Sequence, residues 1–171
     1  MNRLHTFLQF IDRISVTVGW AASLIIVPQV LALTYEVFAR YIFNSPTIWS
    51  FDATYMMYGT HYLLGAAYTL KVKGHIRIDV IYGQLKPRKQ AVIDVICYLL
   101  IFFPILTALI IGGFEYVLRA YTVQEVSQFT PWQPKLWPFK GLIFIGFCLL
   151  SLQSLAEFIR SLHLALKGKP L

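Results

Sequence analysis

ISVTVGWAASLIIVPQVLALTY, from Ile14 to Tyr35, runs for 22 residues without a charge. At about 1.5 Å of rise per residue, a helix of that length is roughly 33 Å long, enough to cross a hydrocarbon core. Working outward, Ala53 to Leu70 supplies 18 uncharged residues and Val95 to Phe114 supplies 20. Gly141 to Ala156 supplies 16, and Leu136, Trp137 and Phe139 lengthen it past Lys140, whose stem is expected to snorkel to the interface. The expectation is an all-α integral membrane protein. It is one domain over residues 1–171, with four transmembrane helices at about 14–38, 52–71, 92–117 and 137–158.

Composition agrees. Hydrophobic residues make up 57% of the chain and charged residues 13%, against about 25% charged in soluble domains. The net charge of +7 could suggest nucleic acid, but the basic residues flank the apolar stretches and no binding motif accompanies them. Phospholipid headgroups of negative charge fit better, and no nucleic acid is expected. Cys97 and Cys148 lie inside apolar stretches without a Cys-x-x-Cys, so they read as small packing residues.

Lys and Arg set the orientation. The N-terminal segment, the second loop and the C-terminal tail together hold 11, against 4 in the first and third loops. Both termini are therefore expected on the cytoplasmic side. A cleaved signal peptide is the rival for the first stretch. Its apolar run exceeds the usual signal core and Ala21-Ala22-Ser23 falls inside it, so an uncleaved span is expected.

Leu4, Phe7, Leu8, Ile11 and Ile14 follow helical spacing, which predicts an amphipathic helix lying on the cytoplasmic surface or extending the first span. Ile78, Ile81, Tyr82 and Leu85 predict a second, short interfacial helix over 79–85, before Lys86-Pro87 opens the third span. On the other side, Ser45-Pro46 stops the first helix and Ser50 or Asp52 is placed to cap the second, giving an antiparallel hairpin. The third loop, about 122–138, is rich in Pro and Trp and is expected at headgroup level.

Few residues could carry chemistry. Glu36 and Arg40, four apart, share a helix face and read as an ion pair, although Arg40 could equally reach Asp52 across the hairpin. Glu115 and Arg119 repeat that spacing and read as another interfacial pair at the outer end of the third span. His61, near the middle of a span, reads as a hydrogen-bonded packing residue, because a haem ligand would need a second histidine at matching depth on another span. No carboxylates converge at mid-span as a coupling-ion site would require, which argues against a self-sufficient transporter. No phosphate-binding loop, nucleophile elbow or metal-spaced Cys/His set is present, so neither an enzyme nor a cofactor is expected.

EVFARYIFNSPTIWSFD, from Glu36 to Asp52, resembles the signature of the small membrane subunit of TRAP (tripartite ATP-independent periplasmic) transporters, the DctQ family. There a helix ends in an Arg-Tyr-x-x-Asn-like run, followed by a Trp and an acid opening the next helix. Asp52 stands where Glu is usual. KGHIRIDV, from Lys73 to Val80, is similar to the family's Gly-His-Ile/Val-Arg-Val-Asp motif, and the third loop from Thr130 to Lys140 resembles its Ser-Pro-Trp-x-Pro-x-Leu-Trp-Pro branch.

The resemblance implies an accessory subunit of a sodium-driven, binding-protein-dependent system for organic acid uptake in the bacterial inner membrane. It would pack beside a large many-span subunit as a stator and bind no substrate itself. It further implies that Glu36, Arg40, Asn44, Trp49 and Asp52 fix the outer hairpin or touch the large subunit or lipid. His75, Arg77 and Asp79 would lock the inner turn. Trp132 and Trp137 are candidates to touch the periplasmic substrate-binding protein. The rival readings are a small self-associating four-helix exporter and a haem-bearing membrane anchor with His61 as a ligand.

Overall fold

A computed structural model of the protein describes residues 2–74 and 82–169. The fold is all-helical: α1 (Asn2–Ser23), α2 (Ile26–Tyr41), α3 (Ser50–Lys71), α4 (Pro87–Cys97), a π turn (Tyr98–Phe102), α5 (Phe103–Thr122) and α6 (Trp137–Lys167). α1 and α2 form one interrupted rod, and α4 through α5 form a second. The α2–α3 turn and the α5–α6 loop meet at one end of the bundle, the hairpin end. The start of α1, the end of α6 and Lys86–Lys89 lie at the other, the basic end.

Three rods are long and apolar enough to cross a membrane: Arg3–Tyr41, Pro87–Thr122 and Trp137–Lys167. α3 is 22 residues long, but four Tyr, three Thr and His61 make it less apolar than the others. Its neighbours account for that composition. α3 packs against α1, α2 and α6, and Thr54 and Thr60 are buried within those contacts. Thr54 Oγ1 donates to Ser50 O at 2.7 Å and Thr69 Oγ1 to Gly65 O at 3.1 Å, so hydroxyls on this helix are satisfied by its own preceding turn.

Both interruptions follow from proline. Pro28 has no N–H for the Leu24 carbonyl, which instead accepts from Val27 N at 3.3 Å, and the rod breaks at Leu24–Ile25. Pro104 lies two residues past the π turn, where Phe103 N–H reaches back to Tyr98 O and widens the helix ahead of the proline ring.

Close packing uses small residues. A Cβ on Gly19 would stand 2.5 Å from Tyr68 Cβ, and one on Gly146 would stand 3.0–3.1 Å from Leu63 Cβ, C and O. These two glycines let α1 and α6 approach α3 closely enough to mesh. Only 11%, 11% and 22% of the most apolar stretches of the three long rods are buried within the chain. Most apolar surface therefore faces outward.

Residues 2–13 take the second of the two expected placements, extending the first span instead of lying as a separate interfacial helix. They are the first turns of α1, and Leu8 and Ile11 pack on Ala156, with Ile159 beside them. Burial of two large side chains against α6 holds this segment upright in the bundle. Within the second expected interfacial helix, residues 79–81 lie outside the described residues, as do His75, Arg77 and Asp79.

Candidate functional site: a clamped hairpin and interhelical polar networks

The α2–α3 turn is built around Glu36. Its Oε1 accepts from Arg40 Nε at 2.8 Å and from Arg40 Nη2, while its Oε2 accepts from Thr47 N at 3.0 Å and from Thr47 Oγ1. Four charge-assisted hydrogen bonds converge on one carboxylate, tying the last turn of α2 to the segment that leads into α3. Thr47 Oγ1 also accepts from Ser50 N at 3.3 Å, so the same hydroxyl serves the start of α3.

Asn44 and Trp49 have separate tasks. Asn44 takes φ 50°, a left-handed conformation that Asn tolerates better than most residues, and Ser45 N turns back to Ala39 O at 2.9 Å. Trp49 stacks on Tyr35 with ring centroids 6.2 Å apart, and Ser50 Oγ donates to Ala32 O at 3.3 Å. The hairpin is thus held at its turn and along its flanks.

Asp52 does not join Arg40. It is fully buried, with Oδ1 accepting from Ser127 Oγ at 2.6 Å and Oδ2 from Thr130 Oγ1. Its place in the first turn of α3 adds favourable contact with the helix dipole. The carboxylate therefore clasps the α5–α6 loop to the start of α3. Because Glu36 already engages Arg40 one turn away, that guanidinium is not needed at Asp52.

The clasped loop is ordered by its own contacts. Val126 and Lys135 form an antiparallel bridge, with Ser127 N donating to Pro134 O and Leu136 N to Glu125 O, both at 2.9 Å. Phe129 lies 5.8 Å from Phe51 and 6.1 Å from Tyr55, ring to ring, and Tyr55 continues to Phe139 at 5.3 Å. Trp132 is 45% exposed, whereas Trp137 meets Tyr121 edge-on at 5.7 Å. Trp132 thus projects from a rigid platform, and Trp137 is half occupied within the fold.

Lys140 corrects the expectation of a snorkelling side chain. It is 4% exposed, with Nζ 2.6 Å from Glu125 Oε2 and 3.5 Å from the centre of the Tyr116 ring. A carboxylate and an aromatic face give the ammonium its partners inside the protein, which removes the drive to reach water. Glu115 and Arg119 are both exposed and form no ion pair with each other.

A second network, absent from the sequence expectations, joins the first and last helices. Arg160 Nη2 donates to Asp12 Oδ2 at 2.7 Å and Nη1 to Glu157 Oε1. Gln153, fully buried, donates to Asp12 Oδ1 at 3.1 Å and accepts from Ser15 Oγ at 2.7 Å. The signal was legible as spacing: Gln153, Glu157 and Arg160 fall on one helical face, as do Asp12 and Ser15.

His61 Nδ1 lies 3.3 Å from Met57 O, and its ring is edge-on to Tyr58. It borders an open groove of about 510 Å³ between α1 and α3. Among the described residues no group of three or more His, Cys, Asp or Glu could hold a metal ion.

Asp12, Glu36, Asp52, Glu125 and Glu157 are thus taken up in holding helices and loops together, and among the described residues no carboxylate from the hairpin end lines any of four open cavities. No curated protein matches the chain. The family model for tripartite ATP-independent periplasmic transporters, DctQ component, matches residues 29–164, from α2 through most of α6 and including the whole hairpin clamp and loop clasp. The chain therefore belongs to the DctQ family, a transporter component and not an enzyme: the small, multi-pass membrane subunit of a TRAP transporter.

Proposed function

We propose that the protein is the accessory subunit of a sodium-driven, binding-protein-dependent TRAP transporter for organic acids in the bacterial inner membrane. It packs beside the large many-span subunit and acts as a stator. The family match over residues 29–164 carries this reading. The outward-facing apolar surface supports it, because a bundle that buries so little of its own long rods leaves area for lipid and for a partner's helices.

In this reading α3 is a fourth span. Its 22 residues reach roughly 33 Å, and its polar side chains are sheltered by α1, α2 and α6. Both termini face the cytoplasm, following the distribution of Lys and Arg. The hairpin end then faces the periplasm, where the clasped loop and Trp132 offer a rigid aromatic contact for the docked binding protein. Substrate and sodium sites belong to the large subunit.

Affinity purification from native membranes in mild detergent, with mass spectrometry of what accompanies the chain, tests the proposal. Stoichiometric recovery of one much larger, many-span protein is the expected result. Recovery of the chain alone or as a homodimer would overturn it in favour of a self-associating exporter.

A further inference from the structure

The basic end holds a groove that the subunit role does not use. Leu85, Lys86, Arg88, Lys89, Val92 and Ile93 line a space of about 540 Å³ at the start of α4. Lys86, Arg88 and Lys89 are all exposed, and Arg88 Nε donates to Ala165 O at 2.9 Å, which pins its guanidinium beside the end of α6. Lys89, Val92, Ile93 and Ile96 fall on one helical face, so one strip runs from a cation to exposed aliphatic side chains.

Three cations within four residues repel one another and favour a counter-anion, and among the described residues no acid lines the groove. Asp94, five residues beyond Lys89, points about 140° round the helix and accepts from Tyr82 OH at 2.8 Å. Val92 and Ile93 are 43% and 39% exposed immediately beside these charges. A soluble anion would satisfy the cations and leave that floor bare. A zwitterionic lipid would cover the floor and bring no net negative charge.

We propose that this groove binds one anionic phospholipid, its phosphate among Lys86, Arg88 and Lys89 and its acyl chains along Val92, Ile93 and Ile96. The proposal rests on the reading that Pro87–Thr122 crosses the membrane with its start at a headgroup plane. It is independent of the partner subunit, so failure of the co-purification leaves it standing, and its own failure leaves the accessory role intact.

The test is native mass spectrometry of the full chain released from symmetric bilayers of phosphatidylcholine and phosphatidylglycerol. The symmetric composition makes the result independent of orientation. One retained phosphatidylglycerol is expected. In Lys86→Gln/Lys89→Gln its preference over phosphatidylcholine should fall about fivefold per cation removed. Ile93→Trp, which fills the floor without altering charge, should lower retention as well. Arg119→Gln/Lys135→Gln, with the same charge loss at the hairpin end, should leave it unchanged. Equal loss in both charge variants, absence of a retained lipid in the unmodified chain, or displacement by inorganic phosphate with Ile93→Trp inert would each overturn the proposal.

Discussion

Gly146 sets the distance between α3 and α6, because any Cβ there meets the backbone carbon and oxygen of Leu63 as well as its Cβ. Backbone cannot rotate away as a side-chain tip can. Gly146→Ala should therefore push the helices apart and cost about 1–3 kcal/mol. Gly65, also inside a helix, has nothing within 4 Å of the point where an alanine methyl would stand. Gly65→Ala should be neutral or stabilising by about 0.5–1 kcal/mol through lower chain entropy. Thermal unfolding of the two variants in detergent checks the contrast: equal melting temperatures would show that the α3–α6 approach is not limiting.

At the scale of elements, the α5–α6 loop is joined to the bundle by Asp52 and by the Glu125–Lys140 pair. Asp52→Ala leaves the buried Ser127 hydroxyl without its acceptor and frees Thr130, at an expected cost of about 1–3 kcal/mol. The effect should be local. Limited proteolysis between residues 123 and 136 should accelerate while helix content stays unchanged. Asp52→Asn, which keeps one acceptor oxygen, should fall between the two. A loop cleaved no faster in Asp52→Ala than in the unmodified chain would show that the Val126–Lys135 bridge and Phe129 hold it unaided.

For the whole molecule, Arg160 links helices whose residues lie 148 positions apart, closing the first rod onto the last. Arg160→Ala leaves Asp12 and Glu157 without the cation they share. The side chains are partly exposed, so the expected loss is on the order of 2–3 kcal/mol, below that for a fully buried pair. Removing all three charges together, in Asp12→Asn/Glu157→Gln/Arg160→Met, should recover most of it. Unfolding in detergent distinguishes the cases: a triple variant as unstable as Arg160→Ala would mean that the packing of the arginine stem, and not uncompensated charge, is what the single change removes.

Apolar run lengths and helix stoppers alone determined that the chain is helical and that rods would run along Ile14–Tyr35, Val95–Phe114 and the stretch after Trp137, because these depend on residues adjacent in the chain. The Glu36–Arg40 pair was legible as i, i+4 spacing on one helix face, but that spacing permits a pair without forming one: Glu115 and Arg119 share it and do not pair with each other, whereas Thr47 holds the Glu36 carboxylate in place. The destinations of Asp52 and Lys140 were not. Several partners were within reach of each, and only the folding of residues 123–136 over α3 brought Ser127 and Thr130 to one and Glu125 to the other. Tertiary structure alone decided that residues 2–13 stand in the bundle, since their amphipathic pattern suits a lipid surface and a helix face equally well, and the choice fell to Ala156 and Arg160 at the far end of the chain.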